Sequence, residues 1–274
     1  SRRSGFTLAP EAASERIRQL INKPVSTSQV VETAAEVYRR GWPTIKLYFM
    51  IGHPTERLED VEAIAELTRA VLAEGRRALG GRAKVHLGLS TFVPKPHTPF
   101  QWVPCDTVEQ IVAKQQLLQR SLRTRGIKLN WNDPRETMLE AWLSRGDRRL
   151  GRVVHEAWRR GARFDAWHEH FSFELWQEAF AAAGLQPDFF THRARAPEEV
   201  LPWDHIDSGL EKRFLAEDFR LGLEGRTRVD CREHCFACGI LPKYKALRRT
   251  HPGPAWQCPE VKKVKKGDDP FLSK

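Results

Sequence analysis

The stretch TIKLYFMIGHPTE at residues 44–56 constrains the fold more than any other part of this sequence. Thr44–Ile51 is an apolar, β-branched and aromatic run with the length and composition of a buried strand. Gly52 and Pro54 end the run, because glycine allows backbone angles that other residues avoid and proline cannot continue a ladder. A helical pattern follows Glu56, so the stretch predicts one strand–loop–helix unit of a parallel sheet. Such sheets bind ligands at the carboxyl ends of their strands, although every α/β protein has loops of this kind.

The same rhythm of strand and helix recurs up to residue 131. Lys84–Phe92 alternates apolar and polar residues as a strand does, and Ile127–Trp131 is a further short strand pattern. Three prolines stiffen the loop Val93–Trp102 that follows the first of these strands. Ser14 is expected to cap the first helix, and Ser26 with Gln29 forms a capping-box pattern for the second. Residues 1–131 therefore predict an α/β fold with a parallel sheet or part of a barrel.

A helical region is predicted at 132–222, where the β-α rhythm stops. The sequence there contains amphipathic patterns at Met138–Leu143, Leu150–Trp158 and Phe173–Phe180. It is rich in tryptophan, and large aromatic rings in such helices are more often core than recognition surface. We therefore expect a buried position for Trp142, Trp158, Trp167 and Trp176.

Composition places the chain among soluble globular proteins. It has 274 residues with 41% hydrophobic and 29% charged residues, and no apolar run approaches a membrane span. The sequence lacks the pattern of a secretory signal, which predicts a cytoplasmic protein with no membrane partner. It also opens without a methionine inside apparently ordered sequence, so we expect a fragment of a longer chain. The net charge of +10 suits nucleic acid or an anionic cofactor, although Arg-rich helix faces and a lysine-rich tail account for much of it.

The tail at 223–274 carries three cysteines with the spacing C-x3-C-x2-C. Cys231, Cys235 and Cys238 lie within eight residues, and Cys258 is a candidate fourth ligand. Thiolates converging on one loop hold zinc or an iron–sulfur cluster. The alternative is a set of thiols without a ligating role. We predict a Cys-rich metal-binding tail.

Several segments, taken in order, resemble the later part of radical S-adenosylmethionine (radical SAM) enzymes. They are SGFTLAPEAASERIRQLINK, KLYFMIGHPTE and STFVPKPHTPFQW, followed by LSRGDRRLG, LPWDHID and the terminal DC…C…CG. The likeness is greatest to an uncharacterised group with a cobalamin-binding domain ahead of the radical domain. It covers nearly the whole chain.

The resemblance implies the C-terminal half of a partial TIM-type (β/α) barrel, followed by a helical region and a Cys-rich tail. In this superfamily a 4Fe-4S cluster on three cysteines binds S-adenosylmethionine and cleaves it reductively to a 5′-deoxyadenosyl radical. A reductant such as flavodoxin or ferredoxin is implied. RNA is compatible as the substrate, and cobalamin is compatible through a missing domain.

Two departures from the family pattern qualify the comparison. No cysteine precedes Glu11, so the ligands of the radical cluster are expected outside this chain, and the cysteines at 231–238 would form an additional iron–sulfur or zinc site. Ala13 replaces the usual glycine of the Pro-Glu-Ala-Gly-Ser pattern, and His53 stands where an aliphatic residue is usual.

The resemblance also implies cofactor contacts, although it assigns no catalytic residue. Positions after the first strand would lie near the amino acid moiety of S-adenosylmethionine, and two later loops would close on its adenosine. Lys46 would contact cofactor or substrate if it points into the barrel, and a solvated strand lysine is the alternative. The full set is Glu11, Ser14, Arg16, Lys46, Gly52, Pro54, Glu56, Pro94 and Thr98.

A non-catalytic, zinc-dependent nucleic-acid-binding module is the alternative function. A zinc knuckle at the cysteines and a basic surface bearing tryptophans would suit RNA. Colour distinguishes the two, because iron–sulfur proteins are brown and zinc proteins are colourless.

Overall fold

Four parallel strands form the sheet of this protein, whose computed structural model describes residues 5–259. The strands are β1 (Phe6–Glu11), β2 (Thr44–Ile51), β3 (Lys84–Thr91) and β4 (Ile127–Trp131). Each strand pairs with its neighbour in sequence, in the order β1-β2-β3-β4. The predicted α/β class with a parallel sheet is confirmed.

Helices connect the strands, and in the described residues after β4 only helices and loops follow. Those of the first part are α1 (Glu15–Leu20), α2 (Thr27–Arg39), α3 (Leu58–Leu79) and α4 (Val108–Ser121). Those that follow are α5 (Pro134–Arg145), α6 (Leu150–Arg159), α7 (Phe173–Ala183), α8 (Asp188–Thr191), α9 (Lys212–Leu223), α10 (Ile240–Lys243) and α11 (Lys245–Thr250). Short 3-10 turns lie at Gly80–Arg82 and Pro254–Trp256.

Side-chain caps begin α1 and α2, as the sequence predicts. Ser14 Oγ accepts a hydrogen bond from the Ile17 N–H at the start of α1. At α2, Ser26 and Gln29 form the complete capping box, in which each side chain bonds the other's backbone N–H. These bonds satisfy N–H groups that have no partner inside the helix.

Among the described residues, helices cover one face of the sheet and leave the other face open. Ile45, Leu47 and Phe49 of β2 are buried in the core, whereas Lys46 and Tyr48 between them are exposed. The strand predicted as buried is therefore buried on alternate residues only, because side chains on a strand point to opposite faces. This arrangement is unusual, since all-parallel sheets normally have both faces covered.

One continuous hydrophobic core joins the sheet to the helices that follow it. It runs from Ala34 and Leu47 through Met138 to Phe180 and Phe190, so the segments 1–131 and 132–222 share it. A smaller cluster surrounds Trp102 and Trp203.

Two of the four tryptophans expected in the core are exposed instead. Trp142 and Trp176 are buried, but Trp158 is 54% exposed and Trp167 is 61% exposed. In α6 the core face carries Val153 and Ala157, and the next residue points about 100° away around the helix. Trp158 therefore faces outward, where the guanidinium of Arg163 lies over its ring.

The described part of the Cys-rich tail extends from 223 to 259 and packs next to α9. The Glu211 N–H donates a 2.8 Å hydrogen bond to the Cys238 carbonyl. Gly239 has a φ of 106°, and an added Cβ would lie 2.7 Å from the Glu211 side chain, so this close approach needs glycine. The predicted tail residues 260–274 lie outside the described residues. No helix within 5–259 has the length and apolarity to span a membrane.

Candidate functional site

Three loops meet at the carboxyl ends of β1, β2 and β3. They are the connection 12–14, the loop Gly52–Arg57 and the long loop 92–107. Arg16 joins the first two by hydrogen bonds to Thr55, and the ring of His53 stacks on Phe92 at 5.7 Å to join the second and third. The structure therefore brings most of the predicted cofactor contacts to one edge of the sheet.

Glu11 ends β1 in a strained conformation. Its φ is 66°, and the register of β1 against β2 shifts between Leu8 and Glu11. The nearest cation to the Glu11 carboxylate is Lys23 Nζ at 3.7 Å. Buried Arg18 donates to the carbonyls of Ala12 and Ala13, which fixes the backbone just after the strand. Strain that the surroundings enforce is common at functional sites.

Ser14 and Arg16 are joined to the start of α3. Ser14 Oγ donates a 2.6 Å hydrogen bond to Asp60 Oδ1, and Arg16 forms an ion pair with the same carboxylate. Burial raises the pKa of Asp60, but the hydrogen bonds from Ser14, the Arg57 N–H and Arg16 outweigh it and lower the pKa overall. The polar groups of Ser14 and Arg16 thus already have partners within the protein, and their observed role is to hold two loops together.

A buried ion-pair cluster shapes the Gly52–Arg57 loop. Glu56 Oε1 accepts from the Gly52 N–H at 2.8 Å and from Lys114 Nζ at 2.7 Å, and Lys114 also bonds Asp106 Oδ2 at 2.6 Å. The Glu56 carboxylate is 4% exposed. Burial raises the pKa of Glu56, but hydrogen bonds from His53, Lys114 and Gly52 lower it overall. Burial lowers the pKa of Lys114, and the two carboxylates raise it overall.

Sequence reasoning missed Lys114 and Asp106 as members of this cluster. Lys114 lies 58 residues from Glu56 and appears in the sequence as one more polar residue of a long helix. Gly52, by contrast, was identified, and its φ of 85° explains the residue type. An added Cβ there would also lie 3.1 Å from the Asp106 carboxylate.

The proline-rich loop after β3 is stabilised by its own hydrogen bonds. Thr98 Oγ1 donates to the Lys95 carbonyl at 2.7 Å, and the His97 N–H donates to Gln101 Oε1 at 3.1 Å. Pro94 is buried, and Pro54 of the neighbouring loop is half-buried. The predicted contacts Pro94 and Thr98 thus belong to a preformed loop at the same sheet edge.

Distant sequence motifs converge on this proline-rich loop. The Trp203 Nε1–H of the LPWDHID motif donates to Gln101 Oε1 at 2.5 Å. Arg145 of the LSRGDRRLG motif is fully buried and donates to the carbonyls of Phe190 and Arg193. Burial, with the nearby Arg195 charge second, lowers the pKa of Arg145 to about 10. These motifs therefore build the support beneath the loops.

Lys46 lies apart from the three loops. It precedes Gly52 by six residues, which corresponds to roughly 20 Å along a strand. Its side chain lies on the open face of the sheet, as the predicted alternation requires.

The four tail cysteines do not form a closed ligand set. Cys231 and Cys258 are exposed, and Cys235 and Cys238 are half-buried. Burial raises the pKa of Cys258, as do, to a smaller extent, Cys235, Cys238 and Cys231, so the Cys258 thiol lies within electrostatic reach of the other three. Within residues 5–259, however, no group of three His, Cys, Asp or Glu side chains converges as metal ligands would. The donor chemistry suits a thiolate centre, but the described geometry does not form one.

Comparison with known proteins finds similarity over about half of the chain. An uncharacterized protein of Methanocaldococcus jannaschii is 32% identical over 149 residues, which cover 54% of this chain and 32% of the relative. The similar region thus spans about a third of that protein's length. No family model matches the chain, and no solved structure matches it.

Proposed function

We propose that this chain is the C-terminal portion of a radical S-adenosylmethionine iron–sulfur enzyme and forms half of a partial (β/α) barrel. One observation carries the proposal: the all-parallel sheet has a polar, uncovered face that runs toward three interlocked loops at its carboxyl edge. In β/α barrels the active site lies at the carboxyl ends of the strands, where these three loops meet. The reaction is inferred from the motifs that resemble the family. The same motifs form the three loops and the residues that pack beneath them.

The residues at the end of β1 suit the ammonium group of S-adenosylmethionine. The Glu11 carboxylate ends a strand at the ligand edge, and its ion pair with Lys23, at 3.7 Å, leaves acceptor capacity. Ser14 and Arg16 act as positioning residues through Asp60, because their polar groups are already bonded. Glu56 and Lys114 shape the next loop in the same way. Of the predicted cofactor contacts, Glu11 and the exposed atoms of these loops thus remain as candidates for direct contact.

The cofactor chemistry needs groups that other parts of a longer protein would supply. A 4Fe-4S cluster held by those parts would supply the one-electron reductive cleavage of S-adenosylmethionine to methionine and a 5′-deoxyadenosyl radical. A flavodoxin- or ferredoxin-type reductant would provide the electron. Cys105 is a single buried cysteine, whereas the radical cluster needs three cysteine ligands, so Cys105 does not provide that site.

Formation of 5′-deoxyadenosine tests the proposal. The longer parent protein, reconstituted anaerobically with iron, sulfide and a reductant, is expected to release 5′-deoxyadenosine, whereas the 274-residue chain alone is expected to release none. Glu11→Gln in the parent should raise the KM for S-adenosylmethionine about tenfold, because one charge-assisted hydrogen bond is lost. The matched control is Glu32→Gln, an exposed change on α2.

Two results would overturn the proposal. One is a parent protein that carries a reducible cluster and releases no 5′-deoxyadenosine. The other is release from the 274-residue chain by itself, because the ligands of the radical cluster would then lie within it.

A further inference from the structure

The uncovered face of the sheet carries a row of basic side chains. Lys46 of β2, His86 of β3 and Lys128 of β4 are register partners, so they lie side by side across three strands. Two residues further along, the next row contains Tyr48, Gly88 and Asn130. An apolar face would suit burial under further helices, as is usual for parallel sheets. A basic and polar face instead suits contact with a charged ligand.

In the part of the chain that the structure describes, no acidic side chain is paired with the lysines of this row or its neighbour Lys84. Within residues 5–259, the amines of Lys46, Lys84 and Lys128 have no ion-pair or hydrogen-bond partner. His86 lies among them: burial first, and then the charges of Lys128, Lys46 and Lys84, lower its pKa. The three unpaired ammonium groups around one imidazole repel one another. An anion bound between them would therefore reduce this electrostatic repulsion.

Lys46 and His86 of this row line a cleft with dimensions suited to a small molecule, and Lys128 lies beside it as the register partner of His86. The cleft has a volume of about 440 Å³, and among residues 5–259 no Asp or Glu lines it. Small-molecule sites typically enclose about 300–1,000 Å³. Neighbouring strands lie about 4.8 Å apart, which places the backbones of Lys46 and Lys128 roughly 10 Å from each other. Two flexible lysine side chains at that separation can reach one phosphate between them.

Tyr48 provides a flat aromatic surface next to the row. An added Cβ on Gly88 would lie 2.6 Å from Tyr48 Cε1, so the glycine allows the ring to lie across β3. The Tyr48 side chain is 45% exposed, which leaves ring surface open to the cleft. Aromatic rings presented in this way stack on nucleobases.

We propose that the uncovered face of the sheet binds a nucleoside monophosphate, with its phosphate held by Lys46 and Lys128 and its base stacked on Tyr48. A simple anion such as phosphate has no group that would stack on the exposed Tyr48 ring. A nucleic-acid polymer would need the basic row to extend beyond one bounded cleft. The site lies on the sheet face, whereas the proposed S-adenosylmethionine contacts lie at the loops, so the inference goes beyond the proposed function and does not depend on radical chemistry.

Titration calorimetry on the 274-residue chain at low ionic strength tests this site, with adenosine 5′-monophosphate as the probe. Adenosine lacks the phosphate of the probe, and inorganic phosphate lacks its nucleoside. Each should bind at least tenfold more weakly than the monophosphate. Lys46→Gln should weaken binding of the monophosphate about tenfold through loss of a charge-assisted hydrogen bond. Lys46→Arg should retain most of the affinity. Tyr48→Leu should weaken binding of the monophosphate and leave binding of phosphate unchanged.

The matched control is Lys245→Gln, which removes an exposed lysine on α11 outside the cleft. Circular dichroism checks that each variant remains folded. The proposal is overturned if the monophosphate does not bind, if adenosine binds equally well, or if Lys46→Gln and Lys245→Gln behave alike. It is also overturned if a single-stranded RNA oligonucleotide binds and the monophosphate does not. None of these results bears on 5′-deoxyadenosine formation by the parent protein.

Discussion

Lys114 is the residue on which the shape of the Gly52–Arg57 loop depends. Its ammonium contacts the carboxylates of both Glu56 and Asp106, and only 12% of its side chain is exposed. Ion pairs on a protein surface contribute little to stability, but breaking a buried pair leaves an unpaired charge in a poorly solvated place. The cluster therefore acts mainly by specifying one loop conformation.

Replacing Lys114 should destabilise the protein strongly. Lys114→Met leaves the buried Glu56 carboxylate without its cation, and we expect the free energy of unfolding to fall by about 3–5 kcal/mol in urea denaturation. Lys245→Met, an exposed replacement of the same kind, should change it by less than about 0.5 kcal/mol. If the two variants were equally stable, the cluster would have no structural role.

Glycine at position 75 lets α3 pack closely against its neighbours. A Cβ there would lie 2.7 Å from Tyr38 Cζ of α2 and 2.8 Å from Ala83 Cβ. The Tyr38 hydroxyl in turn donates a 3.0 Å hydrogen bond to the Lys84 carbonyl at the start of β3. Close packing at one glycine thus positions two helices relative to β3, the middle one of the three strands that bear the basic row.

The same substitution at two helical glycines should have different effects on the Tm. Gly→Ala normally favours a helix by about 1 kcal/mol, but overpacking in a core costs about 1–3 kcal/mol. Gly75→Ala should therefore lower the Tm. Gly151→Ala should leave it unchanged or raise it, because an added Cβ on Gly151 of α6 meets nothing within 4 Å. Thermal unfolding measures both, and a higher Tm for Gly75→Ala would show that Tyr38 moves aside without cost.

The tail connects to the rest of the molecule mainly near α9. Cys258 lies within electrostatic reach of the other three tail cysteines, but the four form no ligand set in the described residues. A bound metal would couple ligation to folding of this part of the chain. The tail is thus the part of the whole molecule whose stability would depend most on a metal.

Metal content tests the prediction that Cys231, Cys235 and Cys238 bind one centre. Anaerobically purified wild-type protein should carry zinc or iron with sulfide, and Cys235→Ala should lose most of it. Cys105→Ala, which removes the buried cysteine outside the tail, is the control and should retain the metal. Equal loads in wild type and Cys235→Ala, or no metal in either, would show that these thiols have no ligating role.

The local sequence determined the elements of this fold. The bounds predicted for β2 and β4 are those observed, and the caps at Ser14 and Ser26 form as expected, because residue types and periodicity act over a few neighbouring positions. The meeting of the loops at one sheet edge also followed from the parallel rhythm. Where that rhythm stopped, prediction was weaker: Trp158 is exposed because one step around a helix changes the face, and Trp167 is exposed in the connection between α6 and α7.

Only the tertiary structure decided which polar groups are partners. Ser14, Arg16 and Asp60 form one network, Glu56 meets Lys114 from a helix 58 residues away, and Lys46, His86 and Lys128 become neighbours through strand register. These contacts depend on distances between segments that are remote in the chain, and no local propensity encodes them. The residue types that could do chemistry were therefore visible in the sequence, but their roles as loop supports or as an open basic face came from how the sheet and helices assemble.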